Sequence, residues 1–131
     1  MDGEDYMNRE EFAVEYKHNG KNCCQAVLLA FKDKLDLSEE ELLKIGSGFG
    51  VGMGGMEATC GSLIASNIIL GLKGDGKTSL MKESNKMLNE FKDECKATIC
   101  KDLKGRDTGI VLTPCDECVR CAVRIIDKRL S

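Results

Sequence analysis

The chain has 131 residues, 42% hydrophobic and 31% charged, with a net charge of −3. That is enough for one soluble domain around one modest core. The acidic balance, 5% aromatic content and absence of tryptophan argue against nucleic acid as a partner, which wants a basic face and stacking platforms.

The opening MDGEDYMNRE has neither the basic nor the apolar region of a secretory signal. The longest apolar stretch, about 62–72, is too short to span a bilayer. The expectation is a cytoplasmic protein with no membrane span, whose thiols start reduced. Helical signals then run through the chain. Residues 5–17 predict a first helix, closed by His18-Asn19-Gly20. Asn22 caps a second, running to about residue 34 on Ala26, Val27, Leu29, Ala30 and Phe31. Ser38 and Glu41 form a capping box that opens a short third helix.

Six glycines within 46–55 exclude a stable helix there and predict a loop. Thr59 caps a fourth helix reaching about residue 70. Thr78 or Ser79 starts a fifth, with Leu80, Ser84, Leu88, Phe91, Cys95 and Thr98 at three- and four-residue spacing. In the last helix Thr113 is the cap, Pro114 the first helical residue, and Asp116 and Glu117 fill the first turn. Its Cys118, Ala122, Ile125 and Ile126 face inward, and Arg120, Arg124, Lys128 and Arg129 make a solvated basic face. With no repeat, linker or second domain, the reading is an all-α, compact single-domain bundle of about six helices with a Gly-rich loop.

Chemistry is concentrated in eight cysteines, at 23, 24, 60, 95, 100, 115, 118 and 121. An intracellular chain with this many thiols uses some for redox chemistry or metal binding. Cys23, Cys24, Cys60 and Cys115 fall near predicted helix N-termini, where exposed N–H groups and the helix dipole lower a thiol pKa. The thiolate is the form that attacks disulfides and binds metals. The glycine loop ahead of Cys60 lets backbone N–H groups approach whatever that sulfur holds. A single cysteine is commonly a small buried hydrophobe; three or four sharing this placement are not read that way.

Several stretches, in order, resemble one family: GKNCCQAVLLAF at 20–31, the glycine loop with TCGSLIA at 59–65, LGLKG at 70–74, FKDECKATICKDLKG at 91–105 and PCDECVRCAVRII at 114–126. The resemblance, covering about 20–126, is to the small redox-active proteins named for a Cys, a Gly-Cys-Ala-x-x-Gly (or Cys-Gly-Ala-x-x-Gly) motif, and two further Cys. It implies a site of Cys23, Cys60, Cys100 and Cys115, serving catalysis, cofactor binding or metal binding. Ser62 stands where the motif has Ala, and Ala65 where it ends in Gly. Both are small enough to keep close packing.

The other four cysteines read as extras. Cys95 lies in an apolar stripe and reads as an inert core residue; Cys24, beside Cys23, reads as packing or a reserve ligand. Cys115, Cys118 and Cys121 spell C-x₂-C-x₂-C without the fourth Cys and Pro of a ferredoxin run. On a helix the first two share a side while Cys121 turns away. Residues 71–78 match a P-loop pattern, yet the strands of that fold are missing, and Gly50-x-Gly52-x-x-Gly55 follows a helix where a dinucleotide fingerprint follows a strand. His18, the only histidine, reads as a solvated loop residue.

These readings converge on a redox protein in which Cys23, Cys60, Cys100 and Cys115 gather in one pocket. They would hold an iron–sulfur cluster or form a dithiol–disulfide couple, with electron transfer to a redox partner protein that the sequence does not identify. A structural zinc module is the alternative, since Zn²⁺ binds thiolates without redox chemistry of its own. P-loop nucleotide binding is a remote one. Oligomeric state is not legible.

Overall fold

The computed structural model describes residues 8–76 and 79–130. Among these, seven α-helices build the chain: α1 (Arg9–His18), α2 (Cys23–Ala30), α3 (Glu39–Gly46), α4 (Gly61–Lys73), α5 (Met81–Cys95), α6 (Cys100–Lys104) and α7 (Cys115–Leu130). The fold is all-α. Pairing of extended backbone among the described residues is confined to an isolated antiparallel bridge between Thr59 and Ile99. None of the described helices is long and apolar enough to cross a membrane.

Helices α2, α4 and α7 form the centre, with α1 laid across α2 and α7, α3 against α2, and α5 against α7 and α4. Seven of the eight residues of α2 are buried, as expected for a helix apolar all round. Small residues on α4 (Gly61, Ser62, Ala65, Ser66) let its neighbours come close. Their two buried hydroxyls are satisfied: Ser66 donates to the Leu63 carbonyl at 2.7 Å and Ser62 to the Cys118 carbonyl at 3.3 Å. Phe31, Leu63, Ile69, Met87, Phe91 and Ile126 fill the space between the layers.

Several boundaries differ from the sequence expectation, each for a local reason. Asn8 caps α1 by accepting from the Glu11 N–H at 2.9 Å; the expected start at 5–7 lies outside the described residues. Helix α2 stops at Ala30, whose carbonyl takes the Arg9 guanidinium at 2.5 Å; a single 3₁₀ turn, Lys32–Lys34, follows. Thr59 enters the bridge with Ile99, leaving Cys60 at the cap position of α4. Helix α5 begins at Met81, because Ser79 bonds the Met81 N–H; the alternative start, Thr78, lies outside the described residues. Its buried face carries Met87, Phe91 and Cys95, with Leu88 turned outward and Thr98 beyond the helix end. Thr113 does not cap α7. Its hydroxyl donates to the Cys95 carbonyl at 2.6 Å, satisfying an acceptor at the end of α5, while the Pro114 carbonyl receives the N–H groups of Glu117 and Cys118.

The basic face of α7 is paired with acids, where the sequence reading left it to solvent. Arg120 meets Glu11 at 2.9 Å, Arg124 meets Glu10 at 2.8 Å and Glu94 at 2.5 Å, and Arg129 meets Glu83 at 2.8 Å. Lys128 pairs with Glu90. These contacts tie α7 to α1 and α5. Residues 66–70 lie inside α4, so no strand precedes the P-loop-like stretch, whose Lys77 and Thr78 are outside the described residues.

Candidate functional site

Cys23 opens α2, and its position is set by the residues beside it. Asn22 accepts from the Gln25 N–H at 2.8 Å, and the Gln25 side chain accepts from the Asn22 N–H at 3.0 Å, a complete capping box. The same two side chains reach the end of α3, Asn22 donating to the Gly46 carbonyl at 3.1 Å and Gln25 to the Leu43 carbonyl at 2.9 Å. One motif thus starts α2, closes α3 and places Cys23 in the first turn.

The floor of the site is backbone. The Cys60 N–H donates to the Thr98 carbonyl at 2.8 Å and the Cys100 N–H to the Ala58 carbonyl at 3.0 Å, which brings the starts of α4 and α6 together. Between α3 and α4 the glycine-rich segment makes a tight turn. Val51 (φ +53°), Gly52 (+55°), Met53 (+59°) and Gly54 (+82°) are left-handed in succession. Glycine adopts this conformation freely, but a β-branched residue such as Val51 is strained in it. The turn aims the Val51 N–H at the Cys23 sulfur. A side chain at Gly61 would stand 2.5 Å from the Phe49 carbonyl oxygen and 2.7 Å from Cys23 Sγ, so the glycine admits the sulfur.

Around this floor the thiols form a row. Cys23 neighbours Cys115 and Cys60. Cys60 contacts Cys118, and Cys118 contacts Cys95. Cys95 in turn contacts Cys121. Ser62 sits beside the row, its hydroxyl 3.0 Å from Cys60 Sγ. Cys115 is the partly exposed member; Cys23 and Cys60 are 8% and 5% exposed.

Charge settles at two points of the row. The Cys115 and Cys60 thiols, the Val51 N–H and the Lys104 charge hold the Cys23 thiol far below its ordinary value against the penalty of burial. Donating to Cys23, together with burial, pushes Cys115 up. The neighbouring Cys118 thiol lowers Cys60, but Cys23 on its other side and burial carry it up to about 11. Farther along, the neighbouring Cys118 and Cys121 thiols bring Cys95 down to about 4. Cys23 and Cys95 are therefore the two thiols of the row that their neighbours lower. Lys17, 2.8 Å from Asp116, adds positive charge near Cys115 and Cys23.

Of the four residues implied by the family resemblance, Cys23, Cys60 and Cys115 are in direct contact. Cys100 is next to them across Gly52, but it feels Cys23 through charge alone, and burial raises its thiol. Cys118, Cys95 and Cys121 join the row although the sequence reading made them extras. Cys95 is buried, but its neighbours include two thiols. The spacing of 118 and 121 on one helix was visible; the meeting with Cys95 comes from the packing of α5 on α7, beside the Thr113 hydroxyl bond to the Cys95 carbonyl. Cys24 is fully buried, and burial pushes its thiol up to about 12. His18 ends α1, where the sequence reading had a loop residue, and pairs with Asp116 at 2.8 Å.

Among the described residues, Glu94, Cys95 and Cys121 form a three-ligand group with all ligand atoms within 4.8 Å of one another. Compared with known families, residues 21–129 match the one described as "Putative redox-active protein (C_GCAxxG_C_C)". No curated protein matches the chain. No solved structure does either.

Proposed function

The chain belongs to the C_GCAxxG_C_C family, and on that premise we propose that it is a thiol–disulfide redox protein working through Cys23 and Cys115. The observation that carries this reading is Cys23, in the first turn of α2 with the Val51 N–H aimed at its sulfur, its thiol lowered by these neighbours, beside Cys115, a second thiol that reaches the surface. The Cys23 thiolate attacks one sulfur of an external disulfide, forming a mixed disulfide and releasing the other half as a thiolate, which takes up a proton. Cys115, losing its proton as it attacks, then displaces the remaining half. Two electrons pass to the external disulfide, and the protein is left with a Cys23–Cys115 disulfide. Lys17 and Lys104 offset the negative charge that moves between the two sulfurs.

A metal or iron–sulfur cluster on Cys23, Cys60, Cys100 and Cys115 finds less support. Thiolates are the right donors for zinc or iron. Of these four, however, Cys60 and Cys115 neighbour Cys23 while Cys100 meets it through charge alone, and the close three-ligand group among the described residues is Glu94, Cys95 and Cys121 instead.

Brief treatment with a small disulfide should remove two free thiols per chain, and dithiothreitol should restore them. Peptide mapping should find Cys23 bonded to Cys115, and Cys23→Ser should abolish the change. Stoichiometric iron or zinc in protein purified without oxygen, with no reversible loss of thiols, would overturn the reading.

A further inference from the structure

The Cys23–Cys115 pair uses two of six thiols in an unbroken line. The line leads from the partly exposed Cys115 through Cys23, Cys60 and Cys118 to Cys95 and Cys121. Three features hold its far half together. The Thr113 hydroxyl anchors α7 to the end of α5, the Cys118 thiol lies 3.7 Å from the Thr113 carbonyl, and Cys95 and Cys121 lie within 4.8 Å of each other. Glu94 caps the far end, where its carboxylate accepts from Cys121 and pairs with Arg124.

We propose that this line is an internal disulfide relay, and that Cys95 and Cys121 are a second redox pair supplied through it. The proposal rests on the thiol–disulfide reading of Cys23 and Cys115. Starting from the Cys23–Cys115 disulfide, the Cys60 sulfur attacks Cys23, forming Cys23–Cys60 and freeing Cys115 to take a proton. Cys118 attacks Cys60 and frees Cys23; Cys95 attacks Cys118 and frees Cys60; Cys121 attacks Cys95 and frees Cys118. At each step one S–S bond forms as one breaks; an attacking thiol's proton goes to the sulfur released, and Cys95, attacking as a thiolate, leaves Cys60 as the thiolate, which takes its proton from Cys121 in the last step. No electrons leave the protein after the first external disulfide has been reduced. The disulfide changes place, from the end beside Lys17 and Lys104 to the end beside Glu94.

The test is a time course with one equivalent of hydroxyethyl disulfide per chain, quenched with acid and mapped by mass spectrometry. In the wild-type chain Cys23–Cys115 should appear first and decline as Cys95–Cys121 rises, with no second equivalent consumed. In Cys118→Ser the first disulfide should accumulate, and Cys95–Cys121 should form at least tenfold more slowly. Cys118→Ala serves if the serine variant loses its helical circular dichroism, and the lag in the wild-type chain decides if both do. Equal rates of Cys95–Cys121 formation with and without Cys118, no lag, or a Cys23–Cys115 disulfide that never moves would overturn the relay and leave the surface couple standing. No disulfide at Cys23 under any condition would overturn both.

Discussion

At Cys23 two S–H groups and one N–H point at a single sulfur, with Lys104 close enough to add its charge. A thiol whose pKa is depressed is ionised at every pH above that lowered value. Its reaction with iodoacetamide should therefore change less than about threefold between pH 8 and pH 5. An ordinary thiol, with a pKa of about 8.5, loses its thiolate on the order of a thousandfold over that interval. Labelling at pH 5 followed by peptide mapping should find Cys23 as the principal site, and a thousandfold loss of rate would remove the thiolate from this position. Cys24 differs by one residue and behaves oppositely. Buried on the other side of α2, it keeps its proton and should stay unlabelled at both pH values.

At the scale of the helices, the site depends on what the turns leave out. Gly61 starts α4 with the Phe49 carbonyl and Cys23 Sγ in the space a side chain would occupy. Gly61→Ala should lower stability by about 1–3 kcal/mol, the usual result of overpacking, and should slow Cys23 alkylation because the sulfur must move from its donors. Urea unfolding combined with the labelling rate checks both; an unchanged rate would mean that the sulfur position does not depend on this turn. Much of this level was legible in the sequence. Asn22 and Gln25 announced the cap that seats Cys23, Ser38 and Glu41 announced α3, and six glycines announced a segment that is not a regular helix. The five-residue α6 was not legible, because it depends on the bridge from Ala58 to Cys100. Nor was the path of the thiols. Spacing along one helix tells which cysteines share a face, but the approach of Cys95 to Cys118 follows from the packing of α5 against α7, which no local pattern announces.

Across the whole molecule, α7 packs against four of the other helices, α1, α2, α4 and α5. Its inner face carries three of the six thiols in the row, and its outer face is laced to α1 and α5 by pairs of opposite charge. Exposed pairs of this kind contribute about 0–1 kcal/mol each and are screened by salt. Raising sodium chloride from 10 mM to 1 M should therefore lower stability by about 1–2 kcal/mol, measured as the urea midpoint at constant pH. A midpoint unmoved by salt would show that packing alone holds α7.

The antiparallel bridge between Thr59 and Ile99 has a consequence for how such a chain must mature. It joins segments separated by the whole of α4 and α5, so the starts of α4 and α6 meet only when that long excursion has closed. Until then the eight cysteines have no assigned neighbours, and eight thiols can pair fully in 105 ways. An oxidant arriving during synthesis would meet an unsorted set, whereas one arriving after closure meets an ordered line with a single partly exposed end. The order of events, folding first and oxidation second, is thus written into the topology.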